Sequence, residues 1–126
     1  MHGAVTAKGC LIVPTPVSLI GYHPTFDAEM TTSADMAKFR TTFINGDRTL
    51  YTNHEAEEYV DNNPANPANP FAFANGALSI TARPVPAGGH PYTSGMIQTA
   101  NSFSQNQGFF EIRAQVPNVQ GFWSAF

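Results

Sequence analysis

The chain has 126 residues, 42% of them hydrophobic and 12% aromatic, enough apolar material for the core of one small domain. Charged residues make up 12%, about half the usual ~25%, and the net charge is −3, so there is no basic footprint for nucleic acid. Ten Gly and ten Pro argue against a helical bundle, a single cysteine excludes an internal disulfide, and no apolar run approaches the ~20 residues of a membrane span.

Residues 1–21 read as a leader or irregular N-terminal segment. Pro14 and Pro16 interrupt its apolar stretch, and no small-x-small cleavage site follows. Cys10, within it, is expected to be a buried or idle thiol. Ser33–Phe43 is the one segment with helical spacing, with Ser33 as cap and Met36, Phe39 and Phe43 on one stripe. Asn45-Gly46-Asp47 reads as a turn. If Thr49–Val60 is extended, Tyr51, Asn53, Glu55, Glu57 and Tyr59 fall on one side. Asp61–Pro70 is a low-complexity loop whose three Asn-Pro steps exclude helix and central strand.

The second half carries β patterns. Phe71–Thr81 alternates around Asn75-Gly76, a hairpin signal, with Leu78 and Ile80 expected inward and Ser79 and Thr81 outward. Pro84–Pro91 is a loop, and Ser94–Thr99 is a short strand. Phe109–Val116 alternates, with Phe110, Ile112, Ala114 and Val116 on one face and Phe109, Glu111, Arg113 and Gln115 on the other. Gln120–Phe126 starts a further strand. Short strands at this spacing predict an all-β antiparallel sandwich.

Two pairs of carboxylates invite an acid/base reading: Asp27 with Glu29, and Glu55 with Glu57. On a strand, side chains two apart point the same way at about 6.5–7 Å, close to the ~5–5.5 Å of a retaining glycosidase. A solvated acidic patch or an ion pair is the commoner meaning of either pair alone, and neither matches a catalytic motif by position. The four histidines (His2, His23, His54 and His90) lack metal-ligand spacing, and His54-Glu55 lacks the second histidine of a zinc HExxH helix. The single tryptophan, Trp123, is either a core aromatic or a platform for the C–H face of a sugar ring.

Residues 91–126, PYTSGMIQTANSFSQNQGFFEIRAQVPNVQGFWSAF, closely resemble the middle of a glycoside hydrolase family 16 domain. The resemblance rests on Tyr92-Thr93-Ser94-Gly95, Ile97, Thr99, Phe103-Ser104, Gly108, Phe110-Glu111, Arg113-Ala114, Pro117, Gly121 and Trp123. Upstream, Phe73–Ala82 is similar to the family's N-G-x-L-x-I-x-A strand, Thr52–Tyr59 to its N-x-E-x-x-Y segment, and Tyr22–Met30 to its opening F-x-D-E-F. The likeness runs in order over residues 22–126 and is nearest the branch with mixed-linkage glucanases and exopolysaccharide depolymerases.

The resemblance implies a concanavalin A-like β-jelly roll, present here in part, whose concave sheet holds polysaccharide. It implies retaining endo-hydrolysis of β-1,3- or β-1,3-1,4-glucan by two glutamates on one strand. The family's E-I-D-x-x-E or E-I-D-x-E strand does not occur in these 126 residues. The catalytic carboxylates are therefore expected beyond Phe126, and residues 22–126 form the N-terminal part of a catalytic domain that is inactive alone. The alternative is a lectin-like fragment that binds polysaccharide without cleaving it.

Among site residues, the resemblance makes Asn53 and Glu55 sugar contacts on the non-reducing side and Trp123 a stacking residue. Met96 stands where many laminarinase-like members carry a sugar-contacting Arg, which points away from a simple β-1,3-glucanase. Glu29 matches a position near a structural calcium on the convex sheet, the one ion the family brings in; no cofactor is required. Glu111 and Arg113 read as an ion pair on a sheet face. The expected partner is a polysaccharide, with no nucleic acid and no membrane, and the expected state is an extracellular monomer.

Overall fold

The structure is a computed structural model and describes residues 18–126; Cys10 and most of the 1–21 segment lie outside the described residues. In chain order it contains a 3₁₀ helix at Ser33–Lys38, a 3₁₀ turn at Tyr51–Asn53, and strands β1 (Glu57–Tyr59), β2 (Phe71–Ala74), β3 (Ala77–Ile80) and β4 (Tyr92–Ser94). Short strands with no α-helix among the described residues are compatible with a β-sandwich.

The hairpin forms where the sequence predicts it. β2 and β3 pair antiparallel, with Phe71 opposite Ile80 and Ala74 opposite Ala77. Asn75 and Gly76 both take positive φ, +53° and +69°, as a two-residue turn matched to strand twist requires. Leu78 is fully buried and forms the core with Phe71 and Met30, against which Met36, Phe39, Phe73, Ile80 and Ile97 pack. Burying a side chain the size of Leu78 contributes about 1.5–3 kcal/mol.

The Asn-Pro loop leads into β2 as an ordered series of turns. The side-chain oxygens of Asn63, Asn66 and Asn69 accept the N–H groups of Ala65, Ala68 and Phe71 at 3.0, 2.9 and 3.1 Å. Each Asn therefore supplies an Asx turn, and each following Pro holds φ. The composition that marks the segment as low-complexity is what gives it one conformation.

β1 pairs with β4 in parallel, Glu57 opposite Tyr92 and Tyr59 opposite Ser94, so the antiparallel expectation holds for the hairpin and not for this pair. The chain between them, which contains the whole β2–β3 hairpin, is long enough to make the crossover that parallel strands need. β4 spans Tyr92–Ser94 rather than the expected Ser94–Thr99, and Gln98 makes only an isolated bridge to Arg40. Gly95 then lies against the hairpin. A Cβ there would sit 2.7 Å from the Phe71 ring and 2.9 Å from both Ile80 and Pro70.

Three expectations are corrected. The Ser33–Phe43 helix is a six-residue 3₁₀ helix with Thr32, not Ser33, at its N-cap; the Asp35 carboxylate accepts the N–H groups of Thr31 and Thr32 at 3.0 and 3.2 Å. It ends at Phe39, which is extended, because Arg40 exchanges two backbone hydrogen bonds with Gln98. Phe43 consequently leaves the helical stripe and packs on Tyr59, ring centroids 6.0 Å apart. Phe109–Val116 and Gln120–Phe126 form no strand pairing among the described residues, and Phe110, Ile112, Val116 and Phe126 are exposed. Alternation chooses the faces of a strand, but a strand exists only beside a partner.

Gly95→Ala is expected to lower stability by about 1–3 kcal/mol, because the new methyl group overlaps Phe71 and Ile80. An unchanged thermal midpoint would show that β4 is not held against the hairpin. The Thr93 hydroxyl is fully buried with no hydrogen-bond partner. Thr93→Val is expected to raise stability by about 1 kcal/mol, the scale of an unsatisfied buried polar group, and a lower midpoint would contradict it.

Candidate functional site

Residues 50–59 do not run as one extended strand. The Glu55 carboxylate reaches back to accept the Leu50 N–H at 2.8 Å and the Tyr59 hydroxyl at 2.9 Å, both on Oε2. Tyr51–Asn53 closes as a 3₁₀ turn through Asn53 N–H to Leu50 O at 2.9 Å and His54 N–H to Tyr51 O at 3.1 Å. His54 ends it in the left-handed conformation, φ +54°. The one-sided row expected from alternation is thus split: Tyr51 and Asn53 are displayed on an exposed turn, while Glu57 and Tyr59 lie in β1. A local side-chain bond to the backbone has overridden the period-2 pattern.

The base of this loop is tied on both sides. Arg48 donates to both Asp61 oxygens, at 3.1 and 2.8 Å, and to the Tyr59 carbonyl at 3.1 Å. The Arg48 guanidinium, with the Thr41 hydroxyl, holds the Asp61 carboxyl below its ordinary value. Asn45-Gly46-Asp47 is the turn the sequence predicts: Phe43 N–H bonds Asp47 O, Gly46 N–H bonds Phe43 O, and the Asn45 amide bonds Asp47 Oδ2 at 2.7 Å. Between this turn and Tyr51 lies an open cleft of about 390 Å³, lined by Phe43, Ile44, Asn45, Asp47, Thr49, Leu50, Tyr51 and Thr52.

His90 joins from a distant segment. Ala87 and His90 exchange backbone bonds of 3.0 and 2.8 Å around Gly88-Gly89, whose φ values of +56° and +87° suit glycine. A Cβ on Gly88 would lie 2.5 Å from the Glu58 carboxyl, so glycine also permits this approach to β1. The His90 ring comes within 6.4 Å of the Tyr51 ring, centroid to centroid. Burial and then the Glu55 charge raise the Glu57 carboxyl above its ordinary value, opposed by backbone hydrogen bonds and, least, by His90. Burial, followed by the bond to Glu55, raises the Tyr59 hydroxyl.

The sequence-derived site residues are therefore placed unequally. Asn53 is exposed, Glu55 is half-buried and engaged through Oε2, and Met96 is half-buried just after Gly95. Trp123 is 90% exposed among the described residues. No hydrogen bond or ring contact joins Asn53, Met96 and Trp123 to one another among the described residues. Glu29 is exposed, and no group of three or more His, Cys, Asp or Glu side chains gathers among the described residues. One carboxylate does not by itself make a calcium site, which takes six to eight oxygens. Glu111 and Arg113 lie on an exposed segment without strand pairing, so they share no sheet face there. Sequence reading missed His90, because the contact with Tyr51 spans distant segments; Gly88-Gly89, a sharp turn just before it, was the one local signal.

Comparison with known proteins finds two similar glycanases. The chain is 44% identical to "Endo-1,3-1,4-beta-glycanase EglC" of Rhizobium meliloti (strain 1021) over 86 residues, covering 62% of this chain and 18% of that protein. It is 43% identical to "Endo-1,3-1,4-beta-glycanase ExsH" of the same organism over 86 residues, again covering 62% of this chain and 18% of that protein. The chain thus corresponds to about a fifth of the length of each. No protein-family model and no solved structure matches it.

The raised Glu57 carboxyl fixes a pH signature. A group whose folded value lies above its unfolded value stabilises the fold below the ordinary 4.5 and loses that contribution as pH rises through the folded value. Glu57→Gln is therefore expected to raise the thermal midpoint at neutral pH and to leave it unchanged below the ordinary glutamate range. A midpoint difference that does not vary with pH would contradict the assignment.

Proposed function

We propose that this chain is the substrate-holding, N-terminal part of a family 16 glycoside hydrolase domain that acts on mixed-linkage β-glucan outside the cell. The observation that carries the reading is the 44% identity over 86 residues to a protein named an endo-1,3-1,4-beta-glycanase, with a second glycanase at 43%. The low charge and the exposed Trp123 and Asn53 support it, because neutral sugars are recognised by aromatic faces and by uncharged or single polar groups. In this reading residues 22–126 belong to a jelly roll that further strands complete, and the chain is monomeric.

Retaining hydrolysis needs a nucleophile carboxylate and a protonated acid about 5–5.5 Å apart. No Glu-x-Asp-x-x-Glu or Glu-x-Asp-x-Glu motif occurs in the 126 residues, so the chain's part is binding and orientation. Asn53 and the Glu55 Oε1 oxygen, which makes no hydrogen bond among the described residues, would take sugar hydroxyls, and Trp123 would cover a ring face. The missing motif equally favours a second reading, a carbohydrate-binding fragment without any catalytic counterpart. The two diverge in a longer form of the protein, which hydrolyses β-glucan only under the first.

Affinity electrophoresis in mixed-linkage β-glucan tests the shared part. Retardation of this chain is expected, with Trp123→Ala removing most of it and no reducing sugar released by the wild-type chain. Migration unaffected by the glucan would overturn the binding role, and release of reducing sugar by the pure chain would overturn the division between binding and catalysis.

A further inference from the structure

Residues 109–116 carry a strand's alternation without a strand's neighbour. Every residue from 109 to 116 is exposed, and no backbone hydrogen bond to residues 109–112 or 114–116 occurs among the described residues. On the apolar face, Phe110, Ile112 and Val116 are 54%, 47% and 56% exposed. Ile112, Ala114 and Val116, with Ser124, Ala125 and Phe126, line an open groove of about 320 Å³. A segment with open backbone groups and one apolar face is a template for another strand. Pro117, which has no N–H to donate, ends the segment.

The polar face specifies what that other strand is. It carries Glu111 and Arg113, two residues apart and opposite in charge. When two identical segments pair antiparallel with Ile112 opposite Ile112, Glu111 of each copy stands directly opposite Arg113 of the other, and the two-fold axis makes this ion pair twice. Opposite charges so placed stabilise paired strands, and like charges destabilise them. The neighbouring registers that keep the same faces set Glu111 opposite Glu111, or Arg113 opposite Arg113, so charge selects the first. That register also sets Phe110 opposite Ala114, a large side chain over a small one, at the groove that Ala114 lines with Ile112 and Val116. Arg113 already has an interaction within the chain; the register uses its charge and does not need it to be free. We propose that residues 109–116 are a self-association edge, through which two copies of this chain pair antiparallel about Ile112. The inference is independent of the β-glucan reading. Where further strands complete a jelly roll, as in that reading, one of them takes this edge and the protein is monomeric; the 126-residue chain by itself takes a second copy.

The test is sedimentation equilibrium of the full chain over a dilution series, with the variants Glu111→Arg and Arg113→Glu and the double variant that exchanges the two charges. The wild type is expected to be a concentration-dependent dimer. Each single reversal sets like charges opposite one another at both ion-pair positions and is expected to weaken self-association roughly tenfold. The two single variants mixed together are expected to form a heterodimer, because the mixture restores opposite charges at both positions; variants that merely misfold would not. The double variant is expected to dimerise like the wild type. A wild type that stays monomeric at its highest soluble concentration would overturn the proposal and assign the edge to a further strand of a longer chain. Dimers indifferent to both reversals would overturn the register and place the contact elsewhere. Wild-type species larger than a dimer would overturn the closed two-fold pair.

Discussion

The arrangement of the described residues depends on one close approach: the chain after β4 lies on the β2–β3 hairpin at Gly95, where no side chain stands between them. That contact covers Phe71, which clusters with Met30 and Leu78 in the core. β4 is also the strand that pairs with β1, and β1 carries Glu57 and Tyr59. The position of the candidate site relative to the core therefore passes through a residue that contributes no side chain. The core itself is small, so loss of this approach is expected to be felt across the fold.

Glu55 joins structure to chemistry in a second way. The carboxylate that family resemblance assigns to sugar is also the acceptor that draws Leu50 and Tyr59 together and sets the Tyr51–Asn53 turn. Charge at Glu55 thereby shapes its neighbours, adding to the burial that raises Glu57 and Tyr59. Arg48 secures the base of the same loop by pairing with Asp61 and capping the Tyr59 carbonyl. A loop held by three charged side chains leaves the Tyr51–Asn53 turn little backbone freedom.

Local chemistry was legible. Asn75-Gly76 specified its hairpin because both positions need positive φ, and Asn45-Gly46-Asp47 specified its turn for a related reason. The Asn-Pro repeat excluded helix and strand, although only the structure shows each Asn closing a turn. Patterns that needed a distant partner were legible only in part. The alternation of Phe109–Val116 names two faces, and no neighbouring strand meets them among the described residues. The helical stripe Met36, Phe39, Phe43 failed at its last member because Gln98 captured the backbone of Arg40.

For the candidate site, the sequence by itself determined which residue types are present, and its family resemblance made Asn53, Glu55, Met96 and Trp123 the expected sugar-contact positions. The expectation of no nucleic-acid partner came from charge alone, since Coulombic attraction to phosphate needs only a count of cations. Tertiary structure alone decided that Trp123 is exposed, that Glu55 is shared between backbone and solvent, and that His90 stands beside Tyr51. The physical reason is range. Turns, caps and composition act through bonds within a few residues, which a sequence displays directly, whereas burial and the meeting of distant segments exist only once the chain has closed on itself.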